Sequence, residues 1–197
     1  MKHPVTIAIV ALNTLGFVAQ CVAQRCGWPL TMEAAVEVAH PQWWQMLTYM
    51  WLHGNPVHLM VNLVVLWPFA TVLEERMGPI VFALGYIVCG AFAASMALPR
   101  LALGDYVVGA SGAVFAVVAM YGVLFFRQHI KWIFLPKPIP VWLFFLLLVG
   151  VEVVCSIKGY LNAKIHLAGM VEGISYAIGC VIGQKSYDRK MRKKFGS

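Results

Sequence analysis

Six runs of mostly apolar residues, each about as long as a membrane-spanning helix, occupy most of this 197-residue chain. They cover residues 5–23, 56–72, 79–98, 107–126, 140–156 and 165–183. A helix needs about 20 such residues to cross a bilayer. Because 61% of the residues are hydrophobic and only 12% are charged, too little polar surface remains to coat a soluble globule. We therefore predict an all-α, polytopic membrane protein with six transmembrane helices in a single domain, residues 1–197.

The lysines and arginines are spread unevenly around these runs. With six spans both termini lie on one side of the membrane, and 11 of the 15 cations fall on that side. Six of them belong to a basic tail, residues 184–197, which after an apolar helix is more typical of a cytoplasmic end near anionic lipid than of nucleic-acid binding. The positive-inside rule predicts cytoplasmic termini, so the second, fourth and sixth helices begin at the external face.

The longest connection, residues 24–55, follows the first helix on the external side. It carries Trp43, Trp44 and Trp51 among polar residues, a pattern typical of an element in the headgroup region. We predict an interfacial first external loop. The five cysteines lie mostly in apolar runs without a C-x-x-C spacing, so neither a disulfide nor a zinc site is predicted.

Polar residues stand where the second apolar run begins, in "HGNPVHLMVN". Asn55 is predicted to cap the helix and Pro56 to be its first residue. His58 and Asn62 are four residues apart and therefore share one face of its opening turns.

Two further polar clusters lie at the same predicted depth. "GASG" places Ser111 one to two turns into the fourth helix, and "KIHLAGMVEG" places His166 at the start of the sixth. Gly169 and Gly173 form a GxxxG pattern, and Gly112 offers a thin surface beside Ser111. Close packing of these two helices would bring Ser111 within hydrogen-bond reach of His166.

Each feature also has a plain structural interpretation. A serine in a membrane helix is usually a packing or back-bonding hydroxyl, and GxxxG usually serves helix packing alone. The histidines His53, His58 and His166 could instead hold a metal, but no H-E-x-x-H occurs and the nearby carboxylates are poorly spaced. The common depth favours a Ser–His pair without a firm third member, and neither metal nor cofactor is predicted.

Taken together and in order, four motifs resemble those of the rhomboid intramembrane serine proteases over nearly the whole chain. They are "HGNPVHLMVN", "LEERMG", "GASGAVFA" and "HLAGMVEG". The resemblance implies a rhomboid-like bundle of the bacterial inner membrane with its active site open to the external side.

The resemblance also implies roles for individual residues. Ser111 would be the nucleophile and His166 the general base, with His58, Asn62 and the Ser111 backbone N–H stabilising the oxyanion. Phe115 falls where the family packs an aromatic ring under the catalytic histidine. The supporting glycines would be Gly109, Gly112 and Gly169.

The sequence departs from the family's pattern at four positions. Trp44 matches the tryptophan of the family's Trp-Arg pair, but Gln45 replaces the arginine. Ile165 stands where a small alanine usually precedes the histidine, and Lys164 and Glu172 are unexpected.

These observations predict an endopeptidase that cleaves transmembrane or juxtamembrane segments of other membrane proteins. A regular helix hides its scissile bond, so a substrate segment with helix-destabilising residues is favoured. The first alternative is an inactive rhomboid-like protein that binds client transmembrane helices. The second is a small transporter that uses Glu152 and Glu172 as proton or ion groups.

Overall fold

The computed structural model describes residues 2–131 and 136–195. Its helices are α1 (Pro4–Arg25), α2 (Leu30–Ala34), α3 (Gln45–Thr48), α4 (Pro56–Met77), α5 (Pro79–Ala97), α6 (Ser111–Leu124), α7 (Val141–Ile157) and α8 (Leu161–Phe195). Single 3-10 turns follow α3 and α5, at Tyr49–Trp51 and Leu98–Arg100. The described part of the chain is therefore predominantly helical, as predicted.

Two short antiparallel pairs complete the described elements. β1 (Val36–Glu37) pairs with β2 (Tyr106–Val107), with Val36 opposite Val107. β3 (His129–Ile130) pairs with β4 (Ile139–Pro140), with His129 opposite Pro140. The first pair ties the connection after α1 to the segment just before α6.

Four of the described helices are long and apolar enough to cross a membrane, namely α1, α4, α5 and α8. α6 and α7 are also apolar, but they have only 14 and 17 residues. An all-α membrane protein is thus confirmed, whereas the count of six spans stays a prediction.

The start of α4 follows the predicted capping chemistry. The Asn55 side-chain oxygen accepts a hydrogen bond from the backbone N–H of His58 at 2.8 Å, and Pro56 is the first helical residue. Proline has no N–H to lose at that position.

Two helices begin four residues away from their predicted starts. The fourth apolar run does not become helical at residue 107, because Val107 is paired in β2 and Gly109 has a φ of 116°. The helix begins at Ser111, so the serine is its first residue and does not lie one to two turns inside.

α8 begins at Leu161 instead of residue 165 and continues through most of the basic segment to Phe195. His166 therefore lies more than one turn inside the helix. Lysine, arginine and methionine are good helix formers, so the change in polarity after residue 183 does not end the helix.

α1 receives its N-terminal cap from α4. Among the described residues, its own cap residue, His3, makes no capping side-chain bond. Instead, the Glu74 carboxylate accepts hydrogen bonds from the backbone N–H groups of Val5 (2.9 Å) and Thr6 (2.8 Å), and from the Thr6 hydroxyl (2.7 Å). These bonds fix the N-terminal end of α1 against the C-terminal end of α4.

α6 is the central helix, with 10 of its 14 residues buried. It packs most extensively against α8. A Cβ atom on Gly169 would collide with the Gly112 carbonyl oxygen, and one on Gly173 would collide with the Ala116 carbonyl oxygen. The two glycines let the α6 and α8 backbones touch, and they place the first turn of α6 beside His166.

Candidate active site

Ser111 stands at a sharp change of backbone direction. Gly109, two residues earlier, has a φ of 116°, which side chains other than glycine rarely adopt. Its N–H donates to the Tyr49 carbonyl at 2.9 Å, which holds the turn against the first loop. Ser111 itself is 8% exposed. The turn therefore presents a nearly buried hydroxyl at the very start of α6.

Tyr49 supports this turn a second time through its side chain. The buried phenol donates to the Gly90 carbonyl at 2.6 Å, and its oxygen lies 2.9 Å from where a Cβ on Gly112 would stand. Burial raises the pKa of Tyr49, so the phenol stays a neutral donor. Sequence reasoning missed this residue, because its partners are more than forty residues away along the chain.

His58 lies directly against Gly109. A Cβ atom at position 109 would be 2.7 Å from Cε1 and 2.9 Å from Nε2 of the imidazole. The opposite nitrogen, Nδ1, accepts a long bond from the Gly54 N–H at 3.4 Å. Because Nδ1 acts as an acceptor, the ring proton is assigned to Nε2, the nitrogen that faces the segment before Ser111.

Asn62 follows His58 by about one turn on the same face of α4. Its side chain is 5% exposed, and its Nδ2 has no hydrogen-bond partner among the described residues. A buried amide donor without a partner costs free energy, so it is available to a group that enters the site.

His166 stacks on Phe115 of α6. The ring centroids are 3.9 Å apart and the planes are inclined by 9°. Phe115 lies one turn after Ser111, on the same face of α6. The stacking therefore places the imidazole on the side of α6 from which the Ser111 hydroxyl projects.

Glu152 of α7 reaches the same histidine. Its Oε2 lies 3.1 Å from Nδ1 of His166, and both side chains are largely buried, at 11% and 17% exposed. The N–H direction is not aligned with the oxygen, so Nδ1 has no formal hydrogen bond among the described residues. The two groups are nevertheless within hydrogen-bond distance, and catalytic hydrogen bonds are often poorly aligned before substrate binds. The sequence alone pointed to Glu152 only as a proton or ion group.

His53 lies behind His58. Its ring is fully buried and meets His58 edge-to-face, with centroids 5.3 Å apart. Gln20 of α1 brackets its backbone, donating to the carbonyl and accepting from the N–H, both at 3.0 Å. Burial and the neighbouring His58 lower the pKa of His53 to about 4. The nearby Trp51 carbonyl acts in the opposite direction and raises the pKa of His53. This carbonyl does not form a hydrogen bond with the ring, because both ring nitrogens of His53 lack a partner in the described structure.

The departures from the family's pattern have structural explanations at three positions. Gln45 is buried and holds the first loop, because its Oε1 accepts from the Gln42 N–H (3.0 Å) and its Nε2 donates to the Glu33 carbonyl (3.2 Å).

The other departures lie in α8. Lys164 donates to the Arg100 carbonyl at 2.7 Å, and Ile165 packs toward Gly112. Glu172 is half-buried in α8.

Three of the four tryptophans in the first loop, Trp28, Trp43 and Trp44, are exposed, and Trp51 is half-buried. Trp43 and Trp44 are 76% and 43% exposed, whereas Trp51 packs against Tyr86 with ring centroids 6.1 Å apart. Trp51 therefore belongs to the packing of the bundle, while the interfacial position of the loop stays a prediction.

Within residues 2–131 and 136–195, no three side chains of His, Cys, Asp or Glu converge as metal ligands. A cavity of about 210 Å³ lies beside the start of α8, next to Lys164, Ala168 and Ser156. Another, of about 280 Å³, lies at the far end of the bundle near Arg76 and Gln184. Ser111 lines neither of these two cavities. The candidate site is therefore defined by the contacts among its side chains and not by a large cavity.

Comparison with known proteins gives a consistent result. A family model described as "Rhomboid domain" matches residues 40–182. The chain is 32% identical to the "Putative rhomboid protease YdcA" of Bacillus subtilis over 149 residues, which are 73% of this chain and 70% of that protein.

Two longer relatives from eukaryotes also match. The chain is 24% identical to "RHOMBOID-like protein 6, mitochondrial" of Arabidopsis thaliana, over 71% of this chain and 43% of that protein. It is 32% identical to "Rhomboid protein 1, mitochondrial" of Saccharomyces cerevisiae, over 63% of this chain and 38% of that protein. The chain thus spans less than half the length of these two relatives.

Proposed function

Because the chain belongs to the rhomboid family, we propose that it is an intramembrane serine endopeptidase in which Ser111 and His166 form the catalytic dyad. The observation that carries this proposal is the stacking of His166 on Phe115, one turn from Ser111. The backbone contact of Gly169 with Gly112 supports the same alignment of the two helices, with the start of α6 next to His166 of α8. A serine used only for helix packing would need no imidazole fixed beside it.

The proposed topology has six spans with both termini in the cytoplasm. α4, α6 and α8 then begin on the external side, and His58, Ser111 and His166 lie toward that side. α6 has 14 residues and is about 21 Å long at ~1.5 Å per residue, against a hydrocarbon core of about 30 Å. Ser111, at the external end of this short helix, therefore lies below the external membrane surface. Water would reach it from the external side.

In the first half of the reaction, the Ser111 oxygen attacks the carbonyl carbon of the substrate while Nε2 of His166 takes the hydroxyl proton. Negative charge builds on the substrate oxygen. The Ser111 backbone N–H, Nε2–H of His58 and Nδ2–H of Asn62 are proposed to donate hydrogen bonds to it. The C–N bond then breaks, and His166 gives its proton to the leaving amine.

In the second half, water replaces the amine. The water oxygen attacks the ester carbonyl carbon of the acyl-enzyme, and Nε2 of His166 takes a proton from that water. The same donors stabilise the second oxyanion, and Ser111 regains its proton from His166 as the ester bond breaks. The cycle releases a new carboxyl terminus and consumes one water molecule for each peptide bond.

The proposed substrates are transmembrane or juxtamembrane segments of other membrane proteins. A segment must become extended before its carbonyl can reach Ser111, so residues that weaken a helix, such as glycine and proline, favour cleavage. The lipid bilayer is the environment in which both proteins meet.

The test is cleavage of a labelled single-span substrate in proteoliposomes. The wild-type protein should cleave it, and Ser111→Ala should not. Ser95→Ala is the matched control, because that exposed hydroxyl bonds back to the Ala91 carbonyl of its own helix. If Ser111→Ala cleaves as fast as wild type, the proposal is wrong. If the wild-type protein binds the substrate segment without cleaving it and resists fluorophosphonate labelling, the inactive client-binding alternative is supported instead.

A further inference from the structure

Glu152 is the only charged residue in α7, whose sequence is VWLFFLLLVGVEVVCSI. A carboxylate within a membrane-spanning segment is costly unless it has a partner. Apart from Val141 at its first position, Glu152 is the only buried residue of the helix. α7 therefore turns a carboxylate toward the bundle while about half of its apolar side chains are exposed.

The partner of this carboxylate is the histidine of the proposed dyad. Oε2 of Glu152 lies 3.1 Å from Nδ1 of His166. Phe115 covers one face of the imidazole. With Nδ1 facing Glu152 and one face of the ring against Phe115, Nε2 is the nitrogen left for Ser111.

The other charged or titratable groups around His166 have different partners or positions. Lys164 bonds to the Arg100 carbonyl, and Nδ1 of His58 accepts from the Gly54 N–H. His58 is near enough to interact electrostatically with His166, but as a second imidazole it cannot stabilise a positive charge there. Glu152 is the acidic group in direct contact with the imidazole.

We propose that Glu152 is a positioning residue for His166. This inference rests on the proposed function. The carboxylate holds the imidazole with its proton on Nδ1, so that the Nε2 lone pair faces Ser111. When Nε2 takes the serine proton, the resulting imidazolium is stabilised by the Glu152 charge. The proton then passes from Nε2 to the leaving amine.

The decisive comparison is among Glu152→Gln, Glu152→Asp and Glu152→Leu. Glu152→Gln keeps size and hydrogen bonding but removes the charge that stabilises the imidazolium. We expect kcat to fall at least about tenfold, short of the ~10⁴-fold loss in a fully buried Ser–His–Asp triad, with KM little changed. Because the charged neighbour of the imidazole is removed, the acidic limb of the kcat/KM pH profile should differ from that of wild type.

The remaining variants separate positioning from stability. Glu152→Asp keeps the charge and should recover part of kcat and the pH profile. Glu152→Leu suits the apolar helix, so it should keep or raise the melting temperature while still losing rate. Glu172→Gln is the matched control, because it removes an acid from another membrane-spanning helix, and it should leave kcat and the pH profile unchanged.

Two outcomes overturn the inference in distinguishable ways. If Ser111→Ala and His166→Ala are inactive while Glu152→Gln keeps the wild-type kcat and acidic limb, Glu152 has no positioning role but the dyad stands. The positioning role is equally excluded if the rate loss of Glu152→Gln tracks its loss of melting temperature and the pH profile does not move. If Ser111→Ala cleaves normally, the dyad itself is wrong and the role of Glu152 falls with it.

Discussion

The imidazole of His166 lies flat on the phenyl ring of Phe115, with the ring centroids 3.9 Å apart and the planes within 9° of parallel. This stacked pair joins α8 to α6 next to the candidate nucleophile. The contact restrains the tilt of the histidine ring, while the contact with Glu152 restrains its rotation within the ring plane.

Replacing Phe115 by leucine should slow catalysis without unfolding the protein. Aromatic pairs contribute about 0.5–1.5 kcal/mol beyond their buried area, so kcat should fall roughly 2- to 12-fold. Steady-state cleavage gives kcat and KM, and Phe92→Leu is the control because that ring is 56% exposed on α5. An unchanged kcat in Phe115→Leu would show that the stacking does not restrain the reacting histidine.

Adding one methyl group at Gly169 should impair both stability and activity. The Cβ of Gly169→Ala would meet the Gly112 carbonyl, and α8 must move away from α6. A displacement of about 1 Å between reacting groups can cost ~100-fold in rate. Gly179→Ala is the matched control on the same helix, because no described atom outside that helix lies within 4 Å of its Cβ position. Cleavage rate and melting temperature should both fall in the first variant and stay near wild type in the second.

Loss of an oxyanion donor should lower kcat more than it raises KM. Asn62→Ala and His58→Ala each remove one proposed donor, and such a loss typically costs about 10²–10³ in kcat. Adding either change to Ser111→Ala should cost little more, because groups that act as a unit are non-additive.

Asn162→Ala is the control for the asparagine variant, since that side chain is exposed near the start of α8. A raised KM and lowered melting temperature with normal kcat in Asn62→Ala or His58→Ala would instead assign both residues to the anchoring of the first loop.

Acid should destabilise the protein through His53. Its pKa is lowered from 6.5 to about 4 in the folded state, so the unfolded chain binds a proton more readily between these values. The contribution of neutral His53 is fully present above pH 6.5 and is lost as the pH falls toward 4. Melting temperatures in detergent from pH 8 to pH 5 measure this dependence.

His53→Phe should flatten that pH dependence, because both ring nitrogens of His53 lack hydrogen-bond partners in the described structure and a phenyl ring is always neutral. The exposed His40 provides the control variant His40→Phe, whose profile should follow wild type. A His53→Phe profile as steep as that of wild type would assign the acid sensitivity to another group.

Local chemistry in the sequence predicted some helix starts well. Asn55 and Pro56 define the beginning of α4, and Pro79 after Gly78 defines that of α5, because capping and proline effects act within a few residues. The start of α6 could not be predicted in this way. Val107 belongs to an apolar run but pairs with Val36, and a pairing between segments 71 residues apart leaves no local signal.

The candidate site was only partly predictable for the same reason. Ser111, His58 and His166 stand out as polar residues at the ends of apolar runs. Glu152 carries the same signal, a lone carboxylate in an apolar run, but its partner depends on the rotation of α7 about its axis. The rotation of a mostly apolar helix is set by its neighbours, so only the structure places Glu152 beside His166.

The capping of α1 by Glu74 has a consequence for how the protein is made. Thr6 and Glu74 are separated by 68 residues. At a synthesis rate of ~5–20 residues per second, the carboxylate leaves the ribosome about 3–14 s after the groups it will bind. During this interval the first turn of α1 has only water or lipid headgroups as partners. Docking of α1 onto α4 must therefore wait until the second long hydrophobic segment has been synthesised.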